Sequence, residues 1–436
     1  KAIIKNSGSG STVTVRQGIV VNENGTTLVN NGGGTFSVEG GTFGTGDLIL
    51  QNNSSSADGI HIRSQTGSYG YVEHTGRIIN SGTGTGNVRI SFTIRSSVTE
   101  IIQDSATSEL FLSPAGTPIA YDGKVSVNTG RLTVTNINMI GGSSLYVAAG
   151  GTAAFTAGGT LNLGSLSGAG HLALATGAGF STTLNVGDKN ENTTFSGTIT
   201  GSQVGFVKSG TGSMTLSGTY GFNNVTVNGG ALVVKSEVTP GVSSLGTGNV
   251  NVNAGAFGGT GLIRPTGSNK ITFSDNTTLV VGDRTSNAFG VLVLDAGATS
   301  SPLLTMQGNS KLSFRIGADF ESDHIDFWNY TSSFSFNDFV FDGNTVEISL
   351  MPGATAGVYS LFRFYEDEGE TLAPTFFLNE NLQISFLDVE GWEAYFEYNY
   401  GSIDLVVVAI PEPSTLSLLG GLFMAAGLGW RRRKAA

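Results

Sequence analysis

Along the first 265 residues, apolar side chains recur at every second position in short bursts broken by Gly or Asn. Gly86-Asn-Val-Arg-Ile-Ser-Phe, Gly130-Arg-Leu-Thr-Val-Thr-Asn, Gly159-Thr-Leu-Asn-Leu-Gly, Gly212-Ser-Met-Thr-Leu-Ser-Gly and Gly248-Asn-Val-Asn-Val-Asn share this form. A period of two puts Met214 and Leu216, or Val250 and Val252, on one face of a strand, with Ser, Thr or Asn on the other. Strands this short bury too little alone, so they must stack. The pattern predicts an all-β chain, a right-handed parallel β-solenoid (β-helix) over residues 1–282. Asn and Thr then form ladders between successive coils, and Gly takes corners that need positive φ.

Beyond residue 282 the pattern becomes longer and aromatic. Phe334, Phe336, Phe339, Phe341, Phe362, Phe364, Phe376 and Phe377 lie here with Trp328 and Trp392. Strands are predicted at Thr345 to Leu350, Val358 to Tyr365, Leu382 to Leu387, Ala394 to Tyr400 and Ile403 to Val408. Residues 283–410 read as the end of the solenoid with a small antiparallel β-cap, because an uncovered last coil exposes apolar side chains and unpaired strand edges.

The last 26 residues follow a different rule again. Pro411, Glu412 and Pro413 precede an uncharged stretch that ends at Trp430, followed by Arg431, Arg432, Arg433 and Lys434. Thr415 to Trp430 predicts one C-terminal transmembrane helix of about 24 Å, short of a ~30 Å hydrocarbon core but workable with snorkelling arginines. The basic cluster is expected to stay cytoplasmic, which places the body across the membrane. Prolines on both sides of Glu412 keep the junction extended and outside the helix.

Composition narrows the function classes. Gly accounts for 65 of 436 residues and charged residues for 13%; together with the β-branched pairs this favours short strands joined by Gly turns over a disordered linker. The absence of Cys excludes disulfides, zinc–thiolate sites and cysteine nucleophiles. A net charge of −11 disfavours nucleic acid as a partner. The chain begins at Lys1 with no apolar run in its first ten residues, which reads either as a cleaved signal peptide or as a fragment.

Candidate chemistry is sparse. Between Asp319 and Asp404 stand 17 acidic residues and one Arg or Lys, Arg363. Asp319, Glu321, Asp323 and Asp326 have oxygen-ligand spacing suited to Ca²⁺, and Glu366 to Glu370 forms a second acidic cluster. The first lacks the Gly of an EF-hand loop, so the preferred reading is a charged edge that blocks strand-to-strand association, with no cofactor. His61, His74, His171 and His324 show no paired-ligand spacing, and no Gly-rich run ends as a phosphate loop does. Arg63, Arg77, Arg89, Arg95 and Arg131 with Asp58, Glu73, Asp104 and Asp122 would suit a polysaccharide-acting groove if they shared a face, and Tyr69 and Tyr71 would suit sugar stacking. The expected role is non-enzymatic, structural or adhesive, with a glycan-binding adhesin or a polysaccharide-acting β-helix enzyme as the alternative.

Two resemblances sharpen this. The tail, with Pro411-Glu412-Pro413, the apolar helix and the Arg-rich end in that order, resembles the PEP-CTERM sorting signal. A plain tail anchor accounts for the helix and the arginines but not for Pro-Glu-Pro. The resemblance implies an exosortase partner that cuts at or near Pro411 to Pro413, and delivery to the cell surface or extracellular matrix of a Gram-negative bacterium. Residues 193–263 resemble the autotransporter-associated β-strand repeat, through Thr194-Phe195-Ser196-Gly197, Val207-Lys208-Ser209-Gly210-Thr211-Gly212 and Val225-Thr226-Val227-Asn228-Gly229-Gly230. The match departs at Tyr220 to Asn224. It implies a solenoid and export, and no particular activity; exopolysaccharide or surface glycans are the expected contacts of the body apart from it.

Overall fold

The computed structural model describes residues 1–6, 8, 10–63, 70–114, 116, 118–296, 303–329, 339–341, 344–367, 383–386 and 391–410. Within them the chain is an all-β solenoid of about 12 turns, and the only helical element is a single 3₁₀ turn, Ala318–Phe320. One stack of parallel strands runs the whole length. It starts with Ala2–Lys5 on Thr26–Asn30, passes through Ser213–Leu216 on Ala231–Lys235 and ends with Thr345–Leu350 on Gln383–Phe386. A second sheet of eight strands begins at Gly159–Leu163 and ends at Phe339–Phe341. In the C-terminal coils a third stack joins Ala256–Ile263, Val291–Asp295, His324–Trp328 and Gly357–Phe364. Parallel stacking therefore continues past residue 282.

Register explains why the alternating pattern suffices. Leu161, Leu184, Phe206, Val225, Val250, Ile271 and Leu304 pair in one inward column, each above the next. A slip of one residue in any coil would turn its whole apolar set outward, so the core itself fixes the register. Among the described residues, nearly all of the buried apolar side chains belong to one continuous cluster from Ile19 to Val407. At the corners, Gly210 holds φ at 67°, and a Cβ there would sit 2.0 Å from the Gly187 carbonyl oxygen.

Polar ladders lie where the alternation leaves them. The Asn53 amide donates to Asn31 (2.9 Å) and Asn31 donates to Asn6 (2.8 Å); Asn185 donates to Asn162 (2.9 Å) and Asn253 to Asn228 (2.9 Å). Inside the early coils, fully buried Asn80 donates to Gln103 Oε1 and to the Ser108 carbonyl, both at 2.7 Å. The departure from the repeat at Tyr220 has a physical basis. Tyr220 is buried, stacks on Phe222 with ring centroids 5.4 Å apart, and donates its hydroxyl to the Phe195 carbonyl at 3.0 Å.

The cap is antiparallel. Ser402–Ala409 pairs with Gly357–Phe364 on one side and with Trp392–Asn399 on the other. Tyr400 and Gly401, with Gly401 at φ 77°, close the two-residue turn of this hairpin. Reversing strand direction ends the parallel stack. Among the described residues no helix is long and apolar enough to cross a membrane. The expected transmembrane helix at 415–430, the sorting motif Pro411, Glu412 and Pro413, and Arg431, Arg432, Arg433 and Lys434 all lie outside the described residues.

Candidate functional site: an aromatic cleft on the C-terminal coils

The turn between Lys311–Ile316 and His324–Trp328 carries the first acidic cluster. It is closed by hydrogen bonds from the Gly317 N–H to the Glu321 carbonyl (2.9 Å) and from the Glu321 N–H to the Ala318 carbonyl (3.0 Å). Asp319 and Phe320 both lie in the left-handed region, at φ 55° and 64°. A Cβ-bearing residue there costs about 1–3 kcal/mol and persists only where the surroundings over-determine it. Here the strained pair projects Phe320 outward, 55% exposed. Its ring lies over Gly357, where an added Cβ would come within 2.1 Å of it, and meets Tyr359 edge-on at 6.0 Å. Buried Tyr359 is itself fixed, donating to the Thr355 carbonyl at 2.6 Å with the Gly317 carbonyl at 3.2 Å.

A buried ion pair locks the facing loop to this turn. Arg315 and Asp323, with side chains 5% and 0% exposed, meet through Nε to Oδ2 at 2.8 Å and Nη2 to Oδ1 at 2.9 Å. The same guanidinium donates to the carbonyls of Ser286 (2.6 Å) and Ala288 (2.7 Å), and Asp323 accepts the Gly290 N–H at 2.9 Å. Arg284 approaches Asp323 at 3.5 Å. The hydrogen bond to Asp323 raises the Arg315 pKa, so the guanidinium stays charged. Phe289 is thereby held over Gly317, where an added Cβ would be 2.4 Å from the ring.

Between these two segments lies a cleft of about 500 Å³, walled by Phe289, Phe320, Glu321, His324, Ser360 and Arg363. A second cavity of about 280 Å³ shares Phe289 and Glu321 with it and continues toward Met351. Asp326 pairs in register with Arg363, and His324 Nε2 lies 3.7 Å from Asp326 Oδ1. Burial pushes the Asp326 carboxyl up to about 6, with Arg363 opposing the rise, and pushes His324 down to about 4, with Arg363 adding to the fall. His61 is also lowered to about 4 by burial, and His74 is lowered.

These shifts set an acid-side profile. Between pH 4 and 6.5 the unfolded chain protonates His61 and His324 while the folded chain does not, so stability rises with pH. Asp326 binds its proton more tightly when folded and acts in the opposite direction between 3.8 and about 6. With those values His61 and His324 together outweigh Asp326 by about 2–3 kcal/mol between pH 4.5 and 6.5, and the lowered His74 acts in the same direction. Thermal midpoints measured across that range test this; a falling midpoint would contradict it, and the double variant H61Q/H324Q is expected to flatten the slope.

The sequence candidates fall apart in space. Asp323 serves Arg315 and Arg284, Asp326 is largely buried beside His324, and Asp319 and Glu321 are exposed. Among the described residues no group of three His, Cys, Asp or Glu is placed to hold a metal ion. The arginines of the body are coil-to-coil rungs: Arg63 with Glu39 (2.9 Å), Arg77 with Asp47 (2.6 Å), Arg89 with Asp58 (2.7 Å) and Arg131 with Glu109 (3.1 Å). Arg95 covers the Tyr71 ring at 3.8 Å, and Tyr69 lies outside the described residues. Phe289, Phe320 and Arg315 were not singled out from the sequence.

Comparison with known proteins places the tail. Residues 409–434 match the PEP-CTERM protein-sorting motif. The adhesin BmaC autotransporter of Brucella suis biovar 1 is 30% identical over 336 residues, which is 72% of this chain and 9% of that protein. The chain thus spans under a tenth of that relative's length. The crystal structure of the Haemophilus influenzae Hap adhesin is 13% identical, with a TM-score of 0.23 over 90% of this chain and 59% of that one, a likeness that carries no argument.

Proposed function

We propose that this chain is an exported, non-enzymatic adhesive protein of the cell surface or its surrounding matrix, sorted through its C-terminus by an exosortase. The match of residues 409–434 to the PEP-CTERM motif carries the reading. In it, Pro411, Glu412 and Pro413 present an extended segment at the membrane to the exosortase, residues 415–430 form the membrane helix, and Arg431, Arg432, Arg433 and Lys434 stay on the cytoplasmic side. The adhesin name of the Brucella suis relative supports an adhesive body. The coil-to-coil pairing of the arginines weighs against a cationic catalytic groove for polysaccharide cleavage.

The test is the mass of the C-terminal peptide of the mature protein, isolated from a host with an active exosortase. An end at or near Pro413 is the expected result. A peptide running through Trp430 into the arginines would overturn exosortase processing and leave a membrane-anchored protein.

A further inference from the structure

We infer that the cleft between Phe289 and Phe320 binds a neutral saccharide, with the two rings stacking on pyranose faces and Glu321, His324 and Arg363 reading its hydroxyls. The inference rests on the adhesive reading and assigns it a site. Four observations carry it.

Phe320 is the first. A solvated phenyl ring held outward by two successive left-handed residues is not explained by core packing, since the ring covers little beyond Gly357 and the edge of Tyr359. Backbone strain of this kind persists where a side chain has a task at the surface.

The second is that the partner loop is fixed in advance. The bonds from Arg315 to Ser286 and Ala288, and from Gly290 to Asp323, hold Phe289 opposite Phe320 without any ligand. Preorganised aromatic plates lower the ordering cost of binding.

The polar groups are the third. Arg363, in register with Asp326, lines the cleft with Glu321 and His324. A planar donor fork, an exposed carboxylate and a neutral imidazole around phenyl faces alternate apolar and hydrogen-bonding surface. A pyranose ring alternates in the same way, with a C–H face and a rim of hydroxyls. The adjoining cavity toward Met351 extends the groove beyond one ring, so the expected ligand is an oligosaccharide.

Charge is the fourth. The acid and the base that wall the cleft, Glu321 and Arg363, are of opposite sign, so an uncharged ligand meets no net field there and sheds no ionic hydration on entry.

The test is titration calorimetry of the full chain with neutral gluco-, galacto- and manno-oligosaccharides, and with oligogalacturonate as the acidic probe. A neutral series is expected to bind, and F320A and E321Q are each expected to weaken it by about tenfold or more. Both positions are exposed, so the thermal midpoint should stay within a few degrees of the parent. F320Y keeps the plate and is expected to restore binding, which a merely structural role for Phe320 would not require. Neutral binding unchanged by both variants would overturn the site, and binding of oligogalacturonate alone would overturn the ligand class. Absence of all glycan binding by a protein that still adheres to cells would overturn the inference and leave the adhesive reading standing. Failure to reach the surface would count against that reading instead.

Discussion

Replacing Arg315 by Met is expected to raise local exchange at the cleft by a factor of 100 or more, the equivalent of about 3 kcal/mol. Removing one partner of a buried ion pair typically costs 3–5 kcal/mol, because the other charge stays buried without compensation. Asp323, fully buried, would keep the Gly290 N–H, the residue 315 N–H (3.0 Å) and Arg284 at 3.5 Å, which puts the effect at the lower end of that range. The carbonyls of Ser286 and Ala288 would lose their donors as well. A companion D323L change is therefore expected to rescue only part of the loss, since it removes the charge but not the unpaired loop carbonyls. Native-state hydrogen exchange of the Gly290 amide reads this directly, because that amide donates to Asp323. A change below about 1 kcal/mol would mean that the loop is held by packing alone, and Phe289 would then not depend on the pair.

The same pair shows where sequence reading stops. Alternation at Met214, Leu216, Val250 and Val252 predicts the inward faces, and these residues are buried. Interleaved Asn predicts the ladders observed at Asn31–Asn53 and Asn162–Asn185. Both are local rules that stacking repeats, so one coil foretells the next. The cap strands were legible for a related reason, since any parallel stack needs an end and the aromatic strands near residue 400 are long enough to make one.

The cleft obeys no such rule. Its walls come from Ser286–Gly290, Gly317–His324 and Ser360–Arg363, which are brought together only by the lengths of the intervening turns. In the linear text, Asp323 is one acid in a run of acids. Nothing within a few residues of it announces that Arg315, across a strained turn, claims both of its oxygens. The body arginines were misleading for the opposite reason. Arg63, Arg77, Arg89 and Arg131 look free along the chain, and each pairs with an acid one coil away. Exposed pairs of this sort contribute about 0–1 kcal/mol apiece, so they tune coil contacts more than they hold the fold.

Phe362→Ala is expected to unfold the C-terminal coils while leaving the N-terminal ones intact. Phe362 is fully buried, meets Phe314 edge-on at 5.3 Å and lies 6.4 Å from Phe327, which stacks on Phe364 at 5.0 Å. Deleting such a ring costs about 3–5 kcal/mol. In a globular domain that loss would spread through the whole molecule. In a solenoid each coil contacts only its neighbours, so the damage stays near its source. Gly357–Phe364 is also the strand on which the antiparallel Ser402–Ala409 is built, and loosening it would release the cap and bare a parallel edge. Hydrogen exchange is therefore expected to show lost protection across His324–Trp328, Gly357–Phe364 and Ser402–Ala409. Protection should persist in coils such as Leu48–Asn52 and Val88–Ile90. The variant should also self-associate, as an exposed strand edge does. Uniform loss of protection from end to end would mean that the solenoid folds as one cooperative unit, and the cap would then control the stability of every coil.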